Sequence, residues 1–255
     1  MSQQRSKGKP TPPPPSSPWP GMLSAIVVLL VLGLIGLLLI NRASPPATAV
    51  APTPDAVPTV AAPTAVAAPT SAALDPATLP TATSYNFAGP PPMTIDPDRG
   101  YVATILTPRG EIVAELLPGI APQTVNNFVF LARENFYNGL TWHRVLPDFM
   151  AQGGDPDGTG AGGPGYSIPA EFTDQIVFDQ PGLLAMARSS DPNSAGSQFF
   201  ITTGPAPWLN GQYTIFGRVI TGQEIVNGIP LRDPSNPADL TRPGEQILGI
   251  TISEL

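Results

Sequence analysis

The chain has 255 residues, no cysteine and one histidine, and its formal net charge is -7. The lack of cysteine excludes disulfides and thiolate chemistry, a single histidine excludes a multi-histidine metal site, and the acidic balance argues against nucleic-acid binding. The 35 prolines are concentrated before residue 93, which indicates one globular domain preceded by low-complexity sequence.

The N-terminal 40 residues combine a basic, proline-rich tail with an uncharged apolar run. Residues 1–21 carry Arg5, Lys7 and Lys9 and are predicted to form a disordered tail. Residues 22–40 (MLSAIVVLLVLGLIGLLLI) contain no charge. As a helix they would span about 28 Å, close to the roughly 30 Å of bilayer hydrocarbon. The sequence therefore predicts one transmembrane helix over residues 22–40.

The charges around this apolar run predict its orientation. Three cations precede it, and only Arg42 follows it before Arg99. Because positive charges stay on the cytoplasmic side, we expect a cytoplasmic N-terminus in the cell membrane and an extracytoplasmic remainder. A cleavable signal peptide is the alternative, with Ala47-Thr48-Ala49 as the cleavage site.

Residues 41–92 are built mainly of alanine, proline, threonine and valine. Such a segment buries too little apolar area to offset its chain entropy, so we predict a disordered linker that proline stiffens. The globular domain is then expected over residues 93–255.

Within that domain the patterns predict a mainly β structure. Two alternating runs, 101–107 and 111–117, flank a Pro-Arg-Gly turn and indicate a hairpin. Helices are predicted near Pro122 and over 223–227, the first with an apolar stripe formed by Val125, Phe128, Val129 and Ala132. Further extended runs lie at 140–145, 149–152, 183–187, 198–202, 213–219 and 247–252. We therefore predict a closed antiparallel β-barrel capped by two α-helices.

Residues 141–155 (TWHRVLPDFMAQGGD) concentrate several chemically distinctive side chains. They predict two short extended runs joined by a Pro-Asp turn. Since neighbouring strand residues point to opposite faces, His143 faces away from any groove that Arg144 faces, whereas Met150 and Gln152 share a face. From spacing alone, a surface arginine with core neighbours remains the alternative.

Two later stretches complete the pattern. Residues 193–203 (NSAGSQFFITT) predict a turn and a strand that has Gln198 and Phe200 on one face and Phe199 and Ile201 on the other. Residues 206–217 (APWLNGQYTIFG) place a tryptophan ahead of an Asn-Gly turn. The shorter pieces GTGAGGPGY, LLAMAR and GQEIVNGI also occur.

Together and in their order along the chain, these six pieces resemble the cyclophilin family of peptidyl-prolyl cis/trans isomerases, from about Tyr101 to the C-terminus. The resemblance implies an eight-stranded barrel and an enzyme that rotates the X–Pro bond. It also implies roles for single residues: Arg144 as the catalytic arginine and Gln152 as the residue that orients the substrate carbonyl. The implied substrate-binding residues fall into three groups. Phe149, Met150, Phe200 and Leu209 form the proline pocket, and Trp208 and Tyr213 lie at its edge. Ala187, Arg188 and Gln198 contact the substrate residues that precede the proline.

Two positions depart from the family pattern. Cyclophilins commonly have asparagine where Arg188 stands and histidine where Tyr213 stands. The backbone at 188 is retained and a tyrosine can still close the pocket, so activity is expected. The loop around residues 157–165 is short and glycine-rich, as in compact bacterial members.

The functional expectation is a membrane-tethered peptidyl-prolyl cis-trans isomerase that acts on unfolded or exported proline-containing chains. Because no bond to a heavy atom breaks when an amide rotates, we expect no cofactor and no metal. We also expect a monomer. A non-catalytic proline-peptide-binding module on a membrane stalk is the main alternative, and a structural anchor protein is a weaker one.

Overall fold

The structure, a computed structural model, describes residues 80, 82 and 84–255. The predicted tail at 1–21, the predicted membrane segment at 22–40 and most of the predicted linker lie outside this part of the chain. Among the described residues, no helix has the length and apolarity needed to span a bilayer.

Eight strands form one antiparallel sheet with the order β3-β4-β6-β5-β7-β2-β1-β8. In chain order they are β1 (Tyr101–Thr107), β2 (Gly110–Leu116), β3 (Arg144–Leu146), β4 (Met150–Gly153), β5 (Leu183–Met186), β6 (Phe199–Thr202), β7 (Ile215–Thr221) and β8 (Gly249–Glu254). The mainly β architecture predicted from the sequence is confirmed.

Two α-helices accompany the sheet, α1 (Pro122–Arg133) and α2 (Gln223–Gly228), with short 3-10 helices at Pro207–Leu209 and Pro237–Thr241. Proline begins α1, where its missing N–H costs nothing. The Glu171 carboxylate accepts hydrogen bonds from the backbone N–H groups of Gln123 and Thr124, at 3.0 and 2.8 Å. Ala121, at the N-cap position, has no side chain that can cap the helix. The carboxylate of a residue distant in sequence therefore pairs with backbone N–H groups of the first turn that have no partner within the helix.

Strands β4 to β7 alternate between two apolar clusters, as their period of two requires. One face contributes to an inner cluster, in which Phe128 of α1 contacts Phe199 and Phe216 at ring distances of 5.4 and 5.1 Å. The opposite face forms a smaller groove cluster of buried residues, Met150, Phe178, Leu183, Ala185, Phe200, Ala206, Leu209 and Ile215. The predicted apolar stripe of α1 lies wholly in the inner cluster.

The prediction of a closed barrel needs correction. Among the described residues, no ladder joins the edge strands β3 and β8. The sheet curls instead, and the segments just before these strands meet through Gly139 N–H to Ile247 O at 2.8 Å and Trp142 N–H to Glu245 O at 2.8 Å. Thr141 and Gln246 form a single antiparallel bridge in this contact, and β3 begins at Arg144 and not at the predicted residue 140.

The described residues ahead of β1 pack on the domain. The Phe87 ring lies edge-on to Phe130 at 5.2 Å, and the Tyr85 ring lies edge-on to Phe136 at 5.3 Å. The Asn126 side chain accepts from the backbone N–H groups of Thr94 and Ile95 and donates to the carbonyl of Pro92. Packing therefore begins ahead of the boundary that the sequence places at residue 93.

Candidate active site

Neighbouring strands bring the central polar and apolar groups into one row. Arg144 of β3 pairs with Gln152 of β4, Gln152 pairs with Phe200 of β6, and Phe200 pairs with Ala185 of β5. Directly opposed residues of an antiparallel sheet point to the same face. The sheet register alone therefore sets a guanidinium, an amide and a phenyl ring side by side on the groove face.

A cavity of about 120 Å³ opens beside this row. Most of its lining residues are apolar, and the half-buried Arg144 is among them. The lining residues are Arg144, Phe149, Met150, Gln152, Ala187, Arg188, Phe200, Leu209 and Tyr213. The shape and lining suit a small, compact apolar group with a polar bond next to it.

A chain of side-chain amides leads away from the arginine. The Arg144 Nη1 donates to Gln152 Oε1 at 3.3 Å, and Gln152 Nε2 donates to Gln198 Oε1 at 2.9 Å. Gln198 Nε2 in turn donates to the carbonyl of Gly162 at 2.8 Å. These bonds fix which way each amide points, so the arginine is held by neutral groups rather than by an acid.

The outer rim of the cavity is aromatic. Trp208 and Leu209 lie on the 3-10 helix, and Trp208 is 59% exposed, with its ring 5.6 Å from that of Phe149. The Tyr213 ring lies edge-on to Phe200 at 5.9 Å. Within the described residues, no group of three or more His, Cys, Asp or Glu side chains is arranged to hold a metal ion.

Comparison with known proteins identifies the group to which this arrangement belongs. The model of the cyclophilin type peptidyl-prolyl cis-trans isomerase family matches residues 102–250. The chain belongs to the cyclophilin family.

Individual relatives agree with this assignment. The chain is 44% identical over 163 residues to peptidyl-prolyl cis-trans isomerase B of Streptomyces anulatus, a match covering 57% of this chain and 91% of the relative. It is 45% identical over 142 residues to human peptidyl-prolyl cis-trans isomerase-like 1, which covers 54% and 83% of the two chains. A crystal structure of a Cryptosporidium parvum cyclophilin in the presence of the dipeptide Ala-Pro matches with a TM-score of 0.54 and 34% identity, covering 60% of this chain and 98% of the other.

The structure gathers nine of the eleven site residues expected from the cyclophilin resemblance around the small cavity. The other two lie next to it. Gln198 lines a larger neighbouring cavity, and Trp208 stands on the exposed rim.

The two departures from the cyclophilin pattern contact each other. The guanidinium carbon of Arg188 lies 4.6 Å from the centre of the Tyr213 ring. Two backbone carbonyls hold it there, since Nε donates to Gln212 O and Nη1 donates to Ser189 O, both at 2.8 Å. The pair forms one continuous wall where the cyclophilin pattern has an asparagine and a histidine.

His143 lies on the opposite face from Arg144, as the strand alternation predicts. It is 2% exposed. Burial lowers the pKa of His143 below its usual value, the nearby Asp155 carboxylate raises it in part, and the Arg144 guanidinium lowers it further. The imidazole is therefore neutral and structural, outside the groove.

Sequence reasoning missed much of the larger cavity. Its lining includes Tyr85 and Asn86, which fall in the segment predicted to be linker, and the glycine-rich loop over residues 160–165. One signal was present: residues 43–84 contain no aromatic side chain, and Tyr85 and Phe87 end that run abruptly.

Proposed function

We propose that this chain is a peptidyl-prolyl cis-trans isomerase that binds the proline ring in the small cavity and places Arg144 beside the prolyl nitrogen. The observation that carries the mechanism is the Arg144 guanidinium, half-buried at the edge of an apolar pocket. It has no carboxylate within ion-pairing distance in the part of the chain that the structure describes. Hydrogen bonds from Ser235 lower the pKa of Asp233 and Arg144 lowers it further, but Arg144 is not in an ion pair with this carboxylate, and its charge stays available to a ligand.

The reaction itself explains why such an arginine suffices. Rotation about the X–Pro bond has a barrier of roughly 18–20 kcal/mol because amide resonance is lost in the twisted state, and uncatalysed exchange takes tens to hundreds of seconds. A catalyst must bind the twisted amide better than either planar form. Lowering the barrier by about 7 kcal/mol accelerates exchange roughly 10⁵-fold.

Arg144 is suited to this selective binding. When resonance is lost, the prolyl nitrogen gains a lone pair that a fixed cationic donor can stabilise. Arginine stays charged and presents several donors in a rigid plane. The hydrogen bond to Gln152 holds that plane on the groove face, so the donor is oriented before the substrate arrives.

The remaining groups position the substrate. Phe149, Met150, Phe200 and Leu209 enclose the proline ring and exclude water from it. Gln152 has its amide oriented at both ends, which suits it to hold the carbonyl of the residue before the proline. A cyclophilin relative crystallised in the presence of Ala-Pro supports the assignment of proline-containing peptides as ligands.

The test compares the full-length chain with its Arg144→Ala variant on a short Ala-Ala-Pro-type peptide. We expect the variant to lose about 10²- to 10³-fold in kcat, the size produced by removing one preorganised transition-state donor. Peptide binding, followed by titration, should stay measurable. The matched control is Arg99→Ala, which removes an exposed arginine that pairs with Glu254.

Three outcomes separate the alternatives. Full turnover by Arg144→Ala would show that this arginine is not the catalytic group. Peptide binding without turnover by the wild-type chain would favour the non-catalytic binding module. Loss of activity in the Arg99 control as well would point to general destabilisation.

We infer from the sequence that residues 22–40 tether the isomerase to the cell membrane, with the domain outside the cytoplasm, where it assists folding of exported or cell-surface proteins. The charge-free run and the cations before it support this orientation. Protease added to cells whose cell membrane is intact, but whose outer envelope has been made permeable, should release the domain. Protection of the domain from protease would indicate the opposite orientation. Release into the medium without protease would indicate signal-peptide cleavage.

A further inference from the structure

A second cavity adjoins the proposed proline pocket. It measures about 820 Å³, several times the volume of the small cavity, and the two share Gln152, Ala187 and Arg188 as lining residues. The rest of its wall is rich in hydroxyl, amide and glycine backbone groups, including Ser189, Ser194 and the loop over residues 160–165. It is thus larger and more polar in its lining than the pocket beside it.

The outer wall of this cavity comes from a segment ahead of the family match. Tyr85 and Asn86 line the cavity, whereas the match to the family begins at residue 102. The segment is held to the domain by Phe87 N–H donating to Pro164 O at 2.9 Å and by the Tyr85 ring packing on Phe136. The Ser84 hydroxyl closes a turn by donating to Asn86 O and accepting from Asn86 N–H.

The fit between this segment and the glycine-rich loop is close. A Cβ on residue 165 would lie 2.0 Å from Asn86 Oδ1, and Gly165 has a φ of +89°, so both the space and the backbone favour glycine there. The Asn86 side-chain amide makes no hydrogen bond to any described residue, although it borders the cavity. Its amide nitrogen therefore has donors available for a ligand.

We propose that Tyr85 and Asn86 belong to the substrate-binding site and contact the peptide two or more residues before the X–Pro bond. This rests on the proposed function, in which Gln152 holds the carbonyl that precedes the proline. Gln152 is on the wall shared by the two cavities, whereas Phe149 and Leu209 border only the small one. The chain leaving the proline on its N-terminal side thus enters the larger cavity.

The lining defines the class of peptide that fits. Apart from Asp157 and Arg188 the lining is uncharged, so the Asn86 amide favours an uncharged polar side chain, and the rings of Tyr85 and Tyr166 favour aromatic ones with a polar tip. Burial raises the pKa of Tyr166, so its hydroxyl stays protonated and donates to Asn127 Oδ1 at 2.7 Å. We infer a preference for upstream tyrosine, serine, asparagine or glutamine.

The experiment uses the full-length chain and three peptides: a short Ala-Ala-Pro-type peptide, the same peptide with a Tyr-Ser-Gln extension before it, and the same extension placed after the proline. In Asn86→Ala, we expect KM for the upstream-extended peptide to rise three- to tenfold more than KM for the short one. This change in KM corresponds to the loss of one neutral hydrogen bond. kcat should change little, because the contact is made equally in the ground and twisted states.

Controls keep the outcome interpretable. Asn227→Ala changes an exposed asparagine on α2 and should leave the ranking of the three peptides by KM unchanged. An equal KM change for the short and extended peptides, or an effect on the downstream extension alone, would overturn the proposal. If the wild-type chain isomerises none of the peptides, the proposed function fails separately, and peptide titration against Asn86→Ala still tests the cavity.

Discussion

Phe199 and Phe200 are adjacent in β6 and chemically identical, yet they serve the two faces of the sheet differently. Phe199 lies in the inner cluster and contacts Phe128, Tyr137 and Trp142 edge-on at 5.4, 5.6 and 5.7 Å. Phe200 lies in the groove cluster and borders the small cavity.

This comparison shows how one set of short strands can support both stability and function. The inner face is filled by rings and aliphatic chains, so any truncation there leaves a void. The groove face keeps a cavity of about 120 Å³ open to a ligand. The same strand alternation that buries one residue thus presents the next one to the substrate.

The largest expected effect comes from truncating the inner ring. Phe199→Ala should lower the free energy of unfolding by about 3–5 kcal/mol, because a large ring is removed from a packed site. Phe200→Ala should cost less stability, since one side of that ring faces a cavity, but should lower kcat/KM for a proline peptide more than tenfold. Denaturant unfolding and peptide isomerisation measure the two quantities. Equal loss of stability and of activity in both variants would show that the two faces are not separable.

The next effect tests the polar row on the groove face. Gln152→Leu removes the acceptor that orients Arg144 and the donor to Gln198, with little change in side-chain size. Hydrogen bonds to charged groups contribute about 1.5–3 kcal/mol, so kcat/KM should fall roughly 10- to 100-fold. Gln123→Leu on exposed α1 surface is the matched control. Unchanged kinetics in Gln152→Leu would mean that Arg144 needs no orienting partner.

The sequence predicted the fold where local period decided the structure. The β1–β2 hairpin, the apolar stripe of α1 and the alternation of Phe199 and Phe200 all follow from spacing within one element. The strand predicted over 140–145 starts late, and residues 139–142 instead bind the segment before β8, a contact between distant parts of the chain. This contact contains one antiparallel bridge, between Thr141 and Gln246, and no continuous ladder, so the closure of the barrel is only partial.

The candidate site was predictable only as far as the resemblance reached. Its residues come from segments that no local pattern joins, and the sheet register that aligns Arg144, Gln152 and Phe200 is visible only in the structure. Composition averaged over residues 41–92 places Tyr85 and Asn86 in the linker, because it conceals the aromatic residues Tyr85 and Phe87 near the end of that segment. The contact of Arg188 with Tyr213 links two loops and has no signature in sequence.

A smaller expected effect is a difference in pH dependence between stability, through His143 on the inner face, and turnover, through Arg144 on the groove face. Burial lowers the pKa of His143 in the folded state, whereas the unfolded value is about 6.5. Below about pH 6.5 the unfolded chain therefore binds the additional proton first, and stability falls as the pH is lowered through this range towards the folded pKa.

One such group contributes at most about 1.4 kcal/mol per pH unit. In His143→Gln, this part of the pH dependence between pH 7 and pH 5 should disappear, although the variant is less stable overall. Turnover by the folded wild-type chain should be nearly flat from about pH 5 to 8, since arginine does not titrate there. A bell-shaped rate profile would place a titrating group in the groove.

The smallest expected effect concerns the wall that distinguishes this groove from the common cyclophilin pattern. Arg188 and Tyr213 contact each other at 4.6 Å, and an exposed cation–π pair contributes about 0.5–1 kcal/mol. Arg188→Asn and Tyr213→Leu each remove one partner of this contact. A double-mutant cycle on the free energy of unfolding should give a coupling energy of that size, because the contact is made in the folded chain and each single change removes it. Strict additivity would show that the two departures act independently, and the wall would then be two separate substitutions rather than one paired feature.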